Sequence, residues 1–373
     1  MNHITKSKTG ILLVNLGSPD TYEPADVKEY LREFLLDERV VDLPKPFRKL
    51  LVEGIILNIR PKESGEAYEL IWWDEGSPLV VITEQVCNKL KNRLGDKIPV
   101  SIGMRYGNPS IKKGIEDLLQ ENVDLEEVFL VPLYPQYAMA TTETVTEKAK
   151  EVFKKYFPHL KLRLKNPFYT DPDYIKALGE SMRPHLTDDI DHLIFSYHGV
   201  PERHIKKRDI TGEHCLKCND CCNVTSVAHT YCYRHHDIMT TKNVAQYLNL
   251  DSMSFTYSNA FQSKLGIDPW LTPATDKELE RLAEEGIKKV AVVCPAFISD
   301  CIETLEEIGI RGEEEFMEAG GKELKLIPCI NDHDLWIHTL EKWSLTVLNR
   351  DDRITEITLS LIHISEPTRR ITI

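Results

Sequence analysis

His198, in the stretch DHLIFSYHGVPE over 191–202, sits where an apolar run ends. Leu193, Ile194 and Phe195 read as strand, and Gly199 and Pro201 break it just beyond. Such a strand carries its last side chains to the carboxyl edge of a sheet, where open α/β folds bind ligands. An imidazole there can move a proton or ligate a metal; it can equally be a histidine satisfied by hydrogen bonds at a strand end. A row of acids lies in CPAFISDCIETLEEIGI. Pro295 ends a strand, and a helix starting near Ser299 or Asp300 puts Asp300, Glu303 and Glu307 at i, i+3 and i+7 on one face. Three carboxylates leading into a cleft suit a path for a divalent cation or for protons. Asp300 with Glu303 also fits a capping box, and acids in a first turn complement the helix dipole, so Glu307 is the least explained structurally.

Other strand ends gather aromatic and polar groups. Arg105 and Tyr106 follow the second strand, Tyr134, Gln136 and Tyr137 follow the third, and Trp270 lies in the irregular loop FQSKLGIDPWLTPATD after the sixth. Singly, such tyrosines are core-edge packing. Converging on one cleft with an arginine, they point to a large planar anionic ligand. The densest donor set is HCLKCNDCCNVTSVAHTYCYRHH, with Cys215, Cys218, Cys221, Cys222 and Cys232 among His214, His229, His235 and His236. Five thiols so spaced read as a metal site with one ligand to spare, zinc being the default from spacing alone. A group of reduced thiols without metal is the bland alternative.

The elements that position these residues alternate short strands with amphipathic helices, the mark of parallel α/β construction. Strands are expected at Ile11–Leu16, Val100–Met104, Val128–Leu133, Leu160–Leu164, Leu193–Tyr197, Met253–Tyr257, Val290–Cys294 and Leu324–Pro328. Helical periodicity covers Lys112–Leu119, Val145–Phe157 and Asp276–Glu285. The third strand of each set of four looks alike, VFLVPLYPQY and VAVVCPAFIS, which suggests a duplicated unit with a cleft between two facing edges. At 373 residues two domains are expected. The balance of 46 basic and 59 acidic residues, a net −13, disfavours nucleic acid or an anionic membrane as the main partner. No apolar run approaches the roughly 20 residues of a membrane span, and the N-terminus lacks a signal peptide's apolar core, so a cytoplasmic location is expected. The segment 35–61 reads as a helical hairpin lidding the cleft, with peripheral membrane contact as its second reading. Residues 351–373 match no register before them; their LSLIHISEPTRR core resembles a translated sequencing adapter, so they are set aside as non-native.

NLGSPDT, GMRYGNPS, PLYPQY, SYHGVPE, FQSKLGIDPWLTPATD and SDCIETLEE, in this order, resemble the ferrochelatases, which insert ferrous iron into a porphyrin. The resemblance covers residues 9 to 349. It implies two Rossmann-like domains, each a four-stranded parallel sheet flanked by helices, with porphyrin and Fe²⁺ bound between them. The domains would be 8–165 and 166–330, with a Cys-rich insertion at 212–236 and a last helix, 334–348, packing back on the first. The family's catalytic histidine falls on His198 and its active-site glutamate on Glu303, expected on the opposite wall; both would handle the incoming Fe²⁺, with Asp300 and Glu307 behind. Leu16, Tyr68, Ser77, Arg105, Tyr106, Tyr134 and Trp270 fall on positions that line or hold the porphyrin site, and Gln136 is expected to join them. Where many relatives carry histidine, this chain has Cys301.

Some ferrochelatases carry a [2Fe–2S] cluster in a cysteine-rich insertion at this point of the chain, so the resemblance favours [2Fe–2S] over Zn²⁺, held by four of the five thiols. Metalation contains no redox step, which leaves the cluster a structural or sensing role. The expected activity is conversion of protoporphyrin IX and Fe²⁺ to protoheme, with release of two protons. Coproporphyrin III as substrate, cobalt loading of a precobalamin ring and a non-catalytic porphyrin or metal carrier are the rivals.

Overall fold

A computed structural model of the chain describes residues 6–264, 266 and 268–348; the expectation about residues 351–373 lies outside them. Two parallel four-stranded sheets organise these residues. The first joins β1 (Thr9–Asn15), β2 (Val100–Met104), β3 (Glu127–Pro132) and β4 (Lys161–Leu164) in the order β2-β1-β3-β4. The second joins β5 (His192–His198), β6 (Thr256–Gln262), β7 (Lys289–Val293) and β8 (Glu323–Leu326) in the order β6-β5-β7-β8. The orders match position for position, with β3 and β7 as equivalents, as the likeness of their sequences suggested. Ile11, Leu12, Leu13 and Val14 of β1 and Leu193, Ile194 and Phe195 of β5 are fully buried. Helices on both faces of a parallel sheet demand such continuous apolar runs.

One strand differs from expectation. The sixth begins at Thr256, not Met253, because β6 is an edge strand and needs no apolar run on both faces. It uses polar residues instead: His192 Nδ1 bonds Thr256 Oγ1 at 2.6 Å and His192 Nε2 bonds Ser258 Oγ at 2.9 Å. The segment after Leu35 also differs. It is no hairpin within 35–61 but one helical rod made of Lys45–Leu51, a wide turn at Val52–Ile56 and Leu57–Glu69. The rod packs on the preceding helix Pro24–Leu35. Gly65 makes that seat possible, since a Cβ there would stand 2.6 Å from the Tyr22 carbonyl oxygen.

The helix Asp334–Leu348 packs on Pro78–Leu94 of the first half and on Pro172–Met182 of the second. Trp336, fully buried, stacks on Phe168 with ring centroids 5.6 Å apart and meets Trp343 edge-on at 5.5 Å. This single helix therefore spans both sheets, more than a return to the first domain. No helix among the described residues is long and apolar enough to cross a membrane.

Candidate active site

His198 closes β5. Its Nδ1 lies 2.6 Å from the carbonyl oxygen of Gly199, so the ring proton sits there and the Nε2 lone pair stays available. Gly199 is required by close approach: a Cβ would meet the Gln262 carbonyl oxygen at 2.7 Å and the Trp270 ring at 3.1 Å. Trp270 thereby lies against the strand end that carries His198, and its indole Nε1 is buried without a partner.

Gln262 ends β6 directly beside His198 and joins the imidazole's strand to the acids. Its Oε1 accepts from Ser196 Oγ at 2.8 Å, which turns its Nε2 toward the Glu303 carbonyl oxygen at 2.5 Å and Glu307 Oε2 at 3.4 Å. Glu307 also accepts from the Ser263 N–H at 2.6 Å. That donor is aimed by a left-handed backbone turn at Ser263, φ 64°. Burial raises the Glu307 carboxyl above its ordinary range; the Ser263 hydroxyl and a protonated His198 pull the other way, and the charge of Glu303 adds to the rise. His198, Glu303 and Glu307 thus share one electrostatic neighbourhood. All three come from the carboxyl edge of the second sheet. His198 and Glu303 stand on one wall, not on opposite walls, because β5 and β7 are hydrogen-bonded neighbours and Glu303 follows β7 within ten residues.

The expected run of three acids on one helical face is corrected. The helix is short, Ile302–Leu305, followed by a wide turn at Glu307–Gly312, and Asp300 precedes it. Its cap is Cys301 with Thr304, not Asp300 with Glu303: the Cys301 N–H donates to Thr304 Oγ1 at 3.0 Å. Asp300, buried, accepts from Thr304 Oγ1 at 3.0 Å, Asn331 Nδ2 at 2.7 Å and the Cys329 N–H at 3.2 Å. Its oxygens brace the turn and are not presented to a passing ion. The Cys301 thiol is buried, its pKa driven up first by burial and then by the charge of Glu303.

The facing wall comes from the first half of the chain. Tyr30, Tyr68 and Tyr134 are all buried, and their hydroxyls titrate above the ordinary range through burial, with the charge of Glu303 contributing to each. The Tyr134 hydroxyl is buried without a hydrogen-bond partner. Leu16, half-buried after β1, and Ser77, buried at the start of Pro78–Leu94, stand on the same half.

Three expected lining residues have other work. Arg105 is neutralised by Asp37, bonds Thr144 Oγ1 at 2.6 Å and lies 4.1 Å over the Tyr106 ring. Tyr106, fully buried, donates to Asp37 Oδ2 at 3.1 Å. These two hold the wall from behind, and the arginine offers no free charge to an anionic ligand. Gln136 turns away from the cleft: its Nε2 donates to Thr240 Oγ1 at 3.0 Å and to the Pro295 carbonyl oxygen at 3.4 Å. Tyr30, Gln262 and Ser263 were not singled out from the sequence. Gln262 and Ser263 lay inside FQSK and could have been; nothing around Tyr30 marks it. A cavity of about 320 Å³ lies elsewhere, between Glu180–His185 and Pro328–His333, and is lined by none of the candidate site residues.

The cysteine-rich segment folds as a loop pinned at its start by Asp209, which accepts from the Cys215 N–H at 2.7 Å and the His214 N–H at 2.8 Å. Burial pushes the Asp209 carboxyl up, but these bonds and that of Thr211 hold it well below the usual range. Cys215, Cys221, Cys222 and Cys232 are buried, while Cys218 is exposed. The four buried thiols neighbour one another, Cys215 and Cys222 acting on the titration of Cys232, and Cys232 and Cys221 on that of Cys222. The bond from Cys215 is the first cause that pushes Cys232 up to about 12. Leu216 N–H and Arg234 Nη1 both donate to Cys221 Sγ, at 3.4 and 3.7 Å. The four histidines pack around the loop with their nitrogens turned to backbone carbonyls: His214 and His229 to Cys221, His235 to Cys222, His236 to His229. As the side chains stand, no three His, Cys, Asp or Glu among the described residues are set to hold a metal ion.

Comparison with known proteins follows this geometry. The family profile described as Ferrochelatase matches residues 8–347. A ferrochelatase of Stutzerimonas stutzeri is 48% identical over 335 residues, 90% of this chain and 96% of that protein. Ferrochelatases of Pseudomonas fluorescens and Azotobacter vinelandii are 47% and 46% identical, each covering 88% of this chain and at least 95% of their own length. Among solved structures, SirB from Bacillus subtilis with Fe³⁺ aligns over 93% of this chain at 14% identity and a TM-score of 0.49, too low to add to the fold described above. The chain belongs to the ferrochelatase family.

Proposed function

We propose that this ferrochelatase inserts Fe²⁺ into protoporphyrin IX at the crevice between His198 and the tyrosine wall. The observation that carries the reading is the setting of His198: Nδ1 is committed to the Gly199 carbonyl, which leaves Nε2 for chemistry, and the side chain acts electrostatically on Glu307. Metalation removes two pyrrole protons from a flat ring, requires the ring to buckle, and strips water from Fe²⁺. His198 Nε2 accepts a pyrrole proton; the Glu303 carboxylate, on the same wall, receives the cation or passes the second proton to Glu307, whose buried carboxyl takes up protons readily. Tyr68 and Trp270 flank the ring, and binding energy over its periphery drives the distortion. Tyr30 and Tyr68 are covered as the molecule stands, so seating the ring moves the helical segment that carries Tyr68 outward.

His198→Ala tests this. The variant keeps porphyrin affinity, read by fluorescence, and loses metalation by about 10²–10⁴-fold; near-normal turnover would overturn the assignment. Assay of the parent protein with Fe²⁺ and either protoporphyrin IX or coproporphyrin III decides the substrate.

The four buried thiols fit a [2Fe–2S] cluster in kind. Cys215, Cys221, Cys222 and Cys232 would be its thiolate ligands, and N–H donors from Leu216 and Arg234 already point at the Cys221 sulfur. Bound, such a cluster supplies a cross-link between the two ends of the insertion. Anaerobically purified protein should absorb in the visible, lose the absorbance in Cys222→Ser and keep it in Cys218→Ser.

A cytoplasmic setting goes with this reading, since cysteines clustered as these are suit metal ligation in a reducing compartment rather than disulfides. The outer face of the rod supports a further proposal, contact with an anionic membrane surface. Phe47, Leu50, Ile55 and Ile59 are each more than half exposed and alternate with Lys45, Lys49, Arg60 and Lys62. Co-sedimentation with phosphatidylglycerol vesicles, abolished in the double variant Phe47→Ser and Leu50→Ser, checks it.

A further inference from the structure

Resting on that reading of the crevice, we propose that His236 and Thr240 are positioning residues for the tetrapyrrole wall, and that through them the cysteine-rich insertion supports the site. The loop Tyr134–Tyr137 leaves β3 and carries the partnerless Tyr134 hydroxyl into the crevice. Its far end is held from the other half of the molecule. The Tyr137 N–H donates to His236 Nδ1 at 3.1 Å, and Gln136 Nε2 donates to Thr240 Oγ1 at 3.0 Å. His236 and Thr240 are four apart on the helix Tyr233–Leu248, hence on one face. The single proton of Thr240 Oγ1 is shared in turn between the carbonyl oxygens of His236 at 3.0 Å and Tyr169 at 3.2 Å, which aims a lone pair at Gln136.

His236 is built for this single task. Its Nε2–H donates to the His229 carbonyl oxygen at 2.8 Å, which leaves Nδ1 as the acceptor that Tyr137 needs. Its ring lies flat on Tyr169, centroids 3.7 Å apart and planes 10° from parallel. It is buried and uses both nitrogens, one on the His229 carbonyl of the insertion and one on the Tyr137 N–H. The insertion reaches it directly: the His236 N–H bonds the Cys232 carbonyl oxygen at 3.1 Å, and Cys232 is the residue from which the helix starts. The outer end of the same loop is fastened by Glu143, which accepts from Tyr137 Oη at 2.6 Å and from Arg208 Nε at 2.7 Å just before the insertion. Cys232, His236 and the Tyr134–Tyr137 loop thus form one bonded sequence from the thiols to the crevice.

The test uses the full chain carrying His236→Ala, His236→Gln or Thr240→Val. Protoporphyrin IX affinity is read by fluorescence without iron, and KM is measured separately for porphyrin and for Fe²⁺. His236→Ala is expected to raise the porphyrin Kd and KM about tenfold with the Fe²⁺ KM within twofold of the parent. His236→Gln, whose amide keeps a donor and an acceptor, returns to within twofold of the parent; Thr240→Val moves as His236→Ala does, by less. The inference is overturned if His236→Ala leaves porphyrin affinity unchanged, if His236→Gln is as defective as His236→Ala, or if both KM values rise together. Should His236→Ala not fold, an unchanged porphyrin KM in Thr240→Val overturns it. Failure of the parent protein to bind or metalate protoporphyrin IX would reject the reading of the crevice instead, whatever the variants do.

Discussion

A histidine's function is set by where its two nitrogens point. His198 spends Nδ1 on a neighbouring carbonyl and keeps Nε2 for chemistry, whereas His236 spends both. The sequence marked His198 by its place at a strand end before Gly199; it offered four histidines in the insertion and no means to separate them. Burial pushes the His236 pKa down to about 3, with His235 and His229 adding to the fall and the carbonyl of His229 opposing it. The sign follows: between the unfolded value near ~6.5 and the folded value, the unfolded chain binds a proton that the folded chain refuses, so stability falls as pH is lowered through that window. At pH 5 the loss is about 2 kcal/mol. Urea unfolding at pH 7 and pH 5 should show His236→Gln losing less stability on acidification than the parent, by about that amount.

Elements placed the acids less regularly than periodicity suggested. A helix from Asp300 to Glu307 would have put three carboxylates in line; the chain builds one short turn and then a wide one. The reason is local. Asp300 is drawn out of the helix by Asn331 and the Cys329 N–H, and Thr304 takes over the cap. Partners from a loop thirty residues away were invisible to spacing. Thr304→Val removes the acceptor of the Cys301 N–H and one donor to Asp300, and should cost about 1–2 kcal/mol in urea unfolding. Because Glu303 lies in the same turn, metalation should fall several-fold with porphyrin affinity intact. The rod Lys45–Glu69 shows the same limit, since a segment that reads as a helical hairpin runs on through a wide turn at Val52–Ile56.

At the scale of the molecule, the helix Asp334–Leu348 makes two sheets one body. Trp336 is its central contact, fully buried among Phe168, Tyr174 and Trp343. Trp336→Ala should cost about 3–5 kcal/mol and, by freeing the halves from each other, broaden the thermal transition measured by calorimetry. The sequence by itself determined the eight strands within a few residues apart from the sixth, the two sets of four and the likeness of β3 to β7, and it singled out His198 and Glu303 as candidates for the centre. Those features rest on local pattern: apolar runs, breakers and short motifs act within a few residues of themselves. Only the tertiary structure decided that His198 and Glu303 share a wall, that Arg105 and Gln136 are tied up behind the crevice, and that Cys218 stands apart from the other four thiols. Each of these depends on which strands are neighbours and which distant groups compete for a hydrogen bond. Contacts of that kind join residues tens to more than a hundred positions apart, and no spacing along the chain records them.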